Sequence, residues 1–130
     1  MFLQLAHTKL DVFEVSKMFL LQCYQVTKNF PTEEKFVLVQ QIRRAALSVH
    51  LNIAEGCSRK SVAERKRFFE VSRGSLIEVD TAFDIACSLN YCNKNELTLL
   101  GEQLIRTFKL LSGLISSNNS PLTSHHSHEL

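Results

Sequence analysis

The chain has 130 residues, 45% of them apolar and 22% charged, which bounds one domain with enough apolar mass for a core. Its net charge of +2 is too small to name a partner. Four glycines, two prolines and β-branched residues that do not alternate with polar ones exclude a β architecture and argue for an all-α fold.

The first nine residues are too short and polar for a signal peptide, and no apolar run reaches membrane length, so a cytoplasmic chain with no membrane contact is expected. Helix one is predicted over 8–28. Asp11, Glu14, Met18, Gln22 and Gln25 trace a narrow, mostly polar stripe on it. Val12, Phe13, Val15, Phe19, Leu20, Tyr24 and Val26 cover much of the rest, more apolar surface than one bundle seam needs. Phe30-Pro31 breaks it.

Helix two is predicted over 32–55. Thr32 serves as N-cap, and Glu33 and Glu34 sit at the positive end of the helix dipole. Phe36, Val39, Ile42, Ala45, Ala46, Val49 and Ile53 form its core face, and Gly56 its left-handed C-terminal stop. Helix three, over 62–89, opens with a Ser61–Glu64 capping box, carries Phe68, Phe69, Leu76, Val79, Phe83 and Ala86, and ends at Asn90. Helix four, over 94–116, opens with a weaker Asn93–Glu96 box and presents a seam of Leu97, Leu100, Leu104, Phe108, Leu111 and Leu114. Short connections imply an antiparallel up-down-up-down four-helix bundle over 1–117. Residues 118–130 read as a disordered polar tail.

Enzyme chemistry has no foothold in these residues. There is no Gly-rich phosphate loop, no Cys/His nucleophile arrangement and no Glu-x-x-His pair of the di-iron kind. Cys23, Cys57, Cys87 and Cys92 form no C-x-x-C and read as reduced, partly buried thiols. His7 and His50 stand alone, and His125, His126 and His128 lie in the tail, where metal binding is incidental. The expectation is a non-enzymatic protein with no cofactor and no metal.

Charge is unevenly spread. From residue 41 to 73 eight basic residues face three acidic ones, a net of +5, which leaves −3 for the rest. Such a stripe is either a solvated helix face or a surface for an anionic partner. Arg59, Lys60, Arg65, Lys66 and Arg67, at and after the turn, are the candidate phosphate contacts.

Polar residues also stand among the apolar ones: Arg44, Ser48, Asn52 and Glu55 on helix two, and Ser72, Ser75 and Glu78 on helix three. Buried polar groups require partners. A hairpin register in which facing residue numbers sum to about 117 would pair Glu78 with Arg43 or Arg44, and Glu55 and Asn52 with a basic residue of 59–67. Gly74 would thin helix three for close approach of another helix. These residues are either a structural network or a ligand site.

The run Ser48-Val49-His50-Leu51-Asn52-Ile53-Ala54-Glu55-Gly56, with Arg44-Ala45-Ala46 before it and Arg59 after, resembles the signature of a bacterial four-helix-bundle family encoded by intervening sequences within 23S ribosomal RNA genes. Phe68-Phe69 and Gly74-Ser75-Leu76-Ile77-Glu78 resemble its second motif, and Phe30-Pro31 also fits. Asn90 stands where glycine is expected, and Ser72 where a small apolar residue is common. The resemblance implies a homopentamer around a central channel and no known enzymatic activity. A distant relative, the accessory protein of diversity-generating retroelements, forms a basic pentamer that works with a reverse transcriptase and RNA. The resemblance therefore implies binding of RNA or DNA, or partnership with a nucleic-acid-processing protein. The competing expectation, from the wide apolar face of helix one, is a protein-interaction scaffold without nucleic acid.

Overall fold

The computed structural model describes residues 10–117. The expectations for His7, the tail histidines and a disordered tail fall outside the described residues. Within them the fold is all-α, with four long helices and no strand: α1 (Asp11–Thr27), α2 (Leu38–Ser58), α3 (Val62–Ser88) and α4 (Thr98–Ser116). Each helix packs against two others, α1 on α2 and α4, and α3 on α2 and α4. No helix among the described residues is long and apolar enough to cross a membrane.

The helical periodicity of the apolar residues explains which faces meet. Phe19 of α1, Ile42, Val49 and Ile53 of α2, Phe69, Leu76 and Val79 of α3 and Leu111 of α4 are almost wholly removed from solvent. Each such side chain stabilises the fold by about 1.5–3 kcal/mol through burial alone.

Helix two differs from its sequence-based expectation at both ends. Thr32–Glu34 forms a short 3-10 turn, and regular α-helix begins only at Leu38. The i→i+3 bonds Glu34 N to Pro31 O and Lys35 N to Thr32 O wind the chain tightly, and Val37, at φ −119° and ψ −89°, breaks the helical path. Unbroken periodicity would put Phe36 one turn below Val39 on the core face. The break turns it outward, and it is 78% exposed.

Gly56 does not stop α2 either. The helix continues to Ser58, and Gly56 is buried inside it with no positive φ. Its role is clearance, since a Cβ there would lie 2.6 Å from Phe69 Cε1 and 2.9 Å from Phe69 Cδ1. At Gly74 the opposite holds: among the described residues a Cβ would meet nothing within 4 Å, so no helix of the described chain approaches closely there.

Helix three ends in a Schellman turn. Asn90 takes φ 63°, Tyr91 N donates to Ala86 O at 2.9 Å and Asn90 N to Cys87 O at 3.0 Å. The Asn93–Glu96 box is the more complete of the two, but it closes an i→i+3 turn over 94–97, and α4 begins only at Thr98 rather than at 94. Glu96 N donates to Asn93 Oδ1 and Asn93 N to Glu96 Oε1, both at 2.9 Å, whereas Ser61 accepts from Glu64 N.

Beyond the Schellman turn, the Tyr91 hydroxyl donates to Glu34 Oε2 at 2.6 Å, which pins the 3-10 turn to the end of α3. That carboxylate acceptor, reinforced by desolvation and the charges of Glu34 and Glu33, pushes the Tyr91 phenol up to about 12 from 10.0. The neutral phenol is the form that binds, so its contribution is complete below about pH 10 and is lost as pH rises through about 12. In urea denaturation, the stability gap between the parent and Tyr91→Phe should therefore be full at pH 8 and close between pH 10 and 12.

The two glycines should respond oppositely to alanine. Gly56→Ala overpacks against Phe69, a loss of about 1–3 kcal/mol that the gain in helix propensity only partly offsets. Gly74→Ala, in open space, should gain about 0.5–1 kcal/mol. Chemical denaturation of both variants checks the pair.

Candidate nucleic-acid interface

The polar residues of α2 and α3 separate into an internal link and an external set. Ser48 Oγ and Ser75 Oγ lie 2.9 Å apart across the helix pair. Asn52 Nδ2 donates to Ser48 O at 2.8 Å and to Ser48 Oγ at 3.1 Å, closing a chain of three side chains. Ser72, fully buried, donates to Val49 O at 2.7 Å. These bonds need small side chains at the seam, because a hydroxyl reaches a neighbouring helix's carbonyl only when the backbones approach closely.

The observed register is one helical turn from the expected one. Ser48 faces Ser75 and Val49 faces Ser72, so facing numbers sum to 121–123 rather than 117. The cause is the late end of α2, which moves the turn to residues 59–61. Among the described residues Glu78 consequently has no arginine partner. It is exposed, and its Oε2 accepts a long 3.4 Å bond from Gln41 Nε2. Arg43 turns the other way, donating to Thr27 Oγ1 at 2.9 Å and Tyr24 O at 3.3 Å, with its guanidinium 4.5 Å from the Tyr24 ring centre. Arg44 is exposed. Glu55 pairs with Arg59 at 2.9 Å, separately from Asn52 and on the surface, where such a pair contributes little.

The candidate phosphate contacts are likewise divided. Arg59 holds Glu55 and lies 4.9 Å over the Phe68 ring. Arg65 is half-buried, and its guanidinium closes the α2–α3 turn by donating to Arg59 O at 3.1 Å and Lys60 O at 2.7 Å. Lys66 is half-buried. Lys60 and Arg67 are exposed. The turn therefore presents a cationic rim whose arginines are partly used to build the turn itself.

Two arrangements go beyond the sequence-based expectations. His50 does not stand alone: its Nδ1 lies 2.7 Å from Ser16 Oγ, and its ring centre 4.4 Å from that of Phe13. Ser16 is fully buried, with its Oγ also 3.0 Å from Phe13 O; the imidazole tautomer sets which partner donates, and the pair links α1 and α2. The second is a cationic groove between α1 and α2, lined by Tyr24, Lys35, Phe36, Arg43 and Arg44. Its signal in the sequence is Lys35-Phe36 and Arg43-Arg44, but only the outward turn of Phe36 and the α1–α2 packing bring them together.

The thiols suit packing. Burial pushes Cys23 up to about 12 from 9.0, and burial with the neighbouring Cys87 thiol, 3.8 Å away, does the same for Cys92. A thiol held that high is a poor nucleophile at neutral pH. Among the described residues no group of three His, Cys, Asp or Glu is placed to hold a metal.

Comparison with known proteins adds two findings. Residues 8–113 match the model of the 23S rRNA-intervening sequence protein family. The chain is also similar to a crystal structure from Bacteroides thetaiotaomicron VPI-5482, a protein with unknown function from the S23 ribosomal protein family. The TM-score is 0.73 at 20% identity, over 82% of this chain and 99% of that one, a likeness that establishes the fold. No curated protein matches.

The revised positions change what mutation should do. Glu78→Ala should lie within about 0.5 kcal/mol of the parent, as expected of a surface carboxylate. Asn52→Ala, which removes a half-buried amide bonded to Ser48, should lose about 1 kcal/mol. Urea midpoints measured side by side check both.

Proposed function

The chain belongs to the 23S rRNA-intervening sequence protein family, and on that footing we propose that it is a non-enzymatic, oligomeric, cytoplasmic nucleic-acid-binding protein, with RNA or a ribonucleoprotein as its partner. In this reading the four helices form an antiparallel up-down-up-down bundle, and five copies assemble as a ring. The observation that carries it is charge: the α2–α3 hairpin and its turn hold a net +5 over residues 41–73, while the remainder of the chain is net negative. Exposed Arg44, Lys60 and Arg67 lie within that stretch. A ring repeats the patch in every subunit, and avidity raises weak phosphate binding by orders of magnitude.

A second reading, a protein-interaction scaffold, is favoured by exposed apolar side chains. Met18 and Leu21 of α1, with Ile77 and Ile85 of α3, are each about half exposed. Self-association would cover the same surface, and a partner that persists after nuclease treatment would distinguish the scaffold. A nucleic-acid-processing protein is the partner that would satisfy both readings.

The test is purification with nuclease, solution mass measurement and RNA binding across a salt titration. Log affinity should fall linearly with log salt. Lys60→Ala and Arg67→Ala should each reduce the slope by roughly 0.7, the share of one neutralised phosphate on a single strand. Salt-independent affinity, or no binding at low salt, overturns the proposal.

A further inference from the structure

We propose that the groove between α1 and α2 is a binding site for single-stranded nucleic acid, in which bases stack on Phe36 while Lys35, Arg43 and Arg44 contact the phosphates. The inference rests on the nucleic-acid reading but assigns a place and a strand preference that the turn cations alone do not supply. The groove is open, about 700 Å³, and mostly apolar in its lining. It runs on into a smaller recess of about 340 Å³ beside Lys28, with Lys35 and Arg43 common to both. Among the described residues no carboxylate lines either part. Three cations, Lys35, Arg43 and Arg44, thus line the mostly apolar groove, and Lys28 lines the smaller recess beside it.

The aromatic groups are built in two different ways. Tyr24 is a fixed platform: Arg43 stacks over it at 4.5 Å while hydrogen-bonded to Thr27 and to the Tyr24 carbonyl, so the guanidinium is held in place before any ligand arrives. Among the described residues Phe36 is the most exposed of the large apolar side chains, with the Lys35 amine 5.5 Å from its ring centre. An exposed ring flanked by cations is poor design for solubility and good design for a planar, negatively charged ligand. A stacked base covers the ring, and its phosphates meet the cations. An acidic peptide would use the charges and leave the ring face without a planar partner. Duplex bases are stacked on each other and offer no free faces, so the groove discriminates in favour of single strands.

The experiment uses the full nuclease-treated chain with a 12-nucleotide single-stranded RNA and a duplex of matched length. Phe36→Ala should lower single-strand affinity roughly tenfold without changing the salt slope, because stacking releases no counterions. Its duplex affinity should stay at the parental level, and Phe36→Trp should restore single-strand binding. Arg44→Ala should reduce the salt slope by roughly 0.7. If the parent binds RNA and Phe36→Ala binds it equally well, the groove assignment fails while the general function stands. If the parent binds no RNA, both fail. A change in solution mass in Phe36→Ala, with RNA affinity falling in proportion, would show the groove to be an interface between copies and overturn the assignment.

Discussion

The close approach of α2 and α3 is the constraint on which the rest of the structure depends. Ser72 bonds a backbone carbonyl of the neighbouring helix at 2.7 Å, and Gly56 sits where a single Cβ would strike Phe69. Both features demand small residues at the crossing, and α2 supplies Ser48 and Gly56 there. Side-chain hydroxyls at the seam find partners across it, so the polar atoms add specificity of register without leaving a buried group unpaired.

That register then decides where charge goes. Because α2 continues to Ser58, Ser48 meets Ser75, and Glu78 passes the level of the arginines and faces Gln41 at the surface. Arg43 is released toward α1, where Thr27 and Tyr24 hold it. Arg59 and Arg65 are drawn into building the turn, one through Glu55 and Phe68 and the other through two backbone carbonyls. Among the described residues the cations pair little with acids. They are displayed along α2 and around the turn, which is the property a polyanion would read.

The neighbourhood of Phe36 shows how a local backbone event creates a surface. Pro31 and the tight i→i+3 bonds that follow it favour a 3-10 start, and Val37 interrupts the path before α2 becomes regular. Tyr91, bonded to Glu34 and packed 5.7 Å from the Phe30 ring, anchors this segment to the end of α3. A side chain of core type is thereby placed in solvent beside Lys35, Arg43 and Arg44. Regular periodicity could not anticipate this, because periodicity assumes an unbroken helix.

Much of the architecture was legible without coordinates. Apolar spacing marked the helical segments, Ser61 marked the start of α3, and Asn90 marked its end, since these are short-range effects of hydrogen bonding and backbone sterics. The Asn93–Glu96 box marked a turn ahead of α4, which begins at Thr98. The same rules misjudged Gly56, whose reason is a distant ring, and Thr32, whose helix starts six residues later. Pairings were the least legible. Ser16 with His50, Ser72 with the Val49 carbonyl, and the Tyr24–Phe36–Arg43 groove join residues from separate helices, and their distances depend on the inter-helix register. A shift of one turn was enough to separate Glu78 from the arginines. The amino-acid order by itself determined an all-α chain with a basic stretch over residues 41–73, because composition and 3.6-residue spacing act locally. The tertiary structure alone decided which polar groups are consumed in holding the helices together and which face outward, because that depends on how closely and at what level two helices meet.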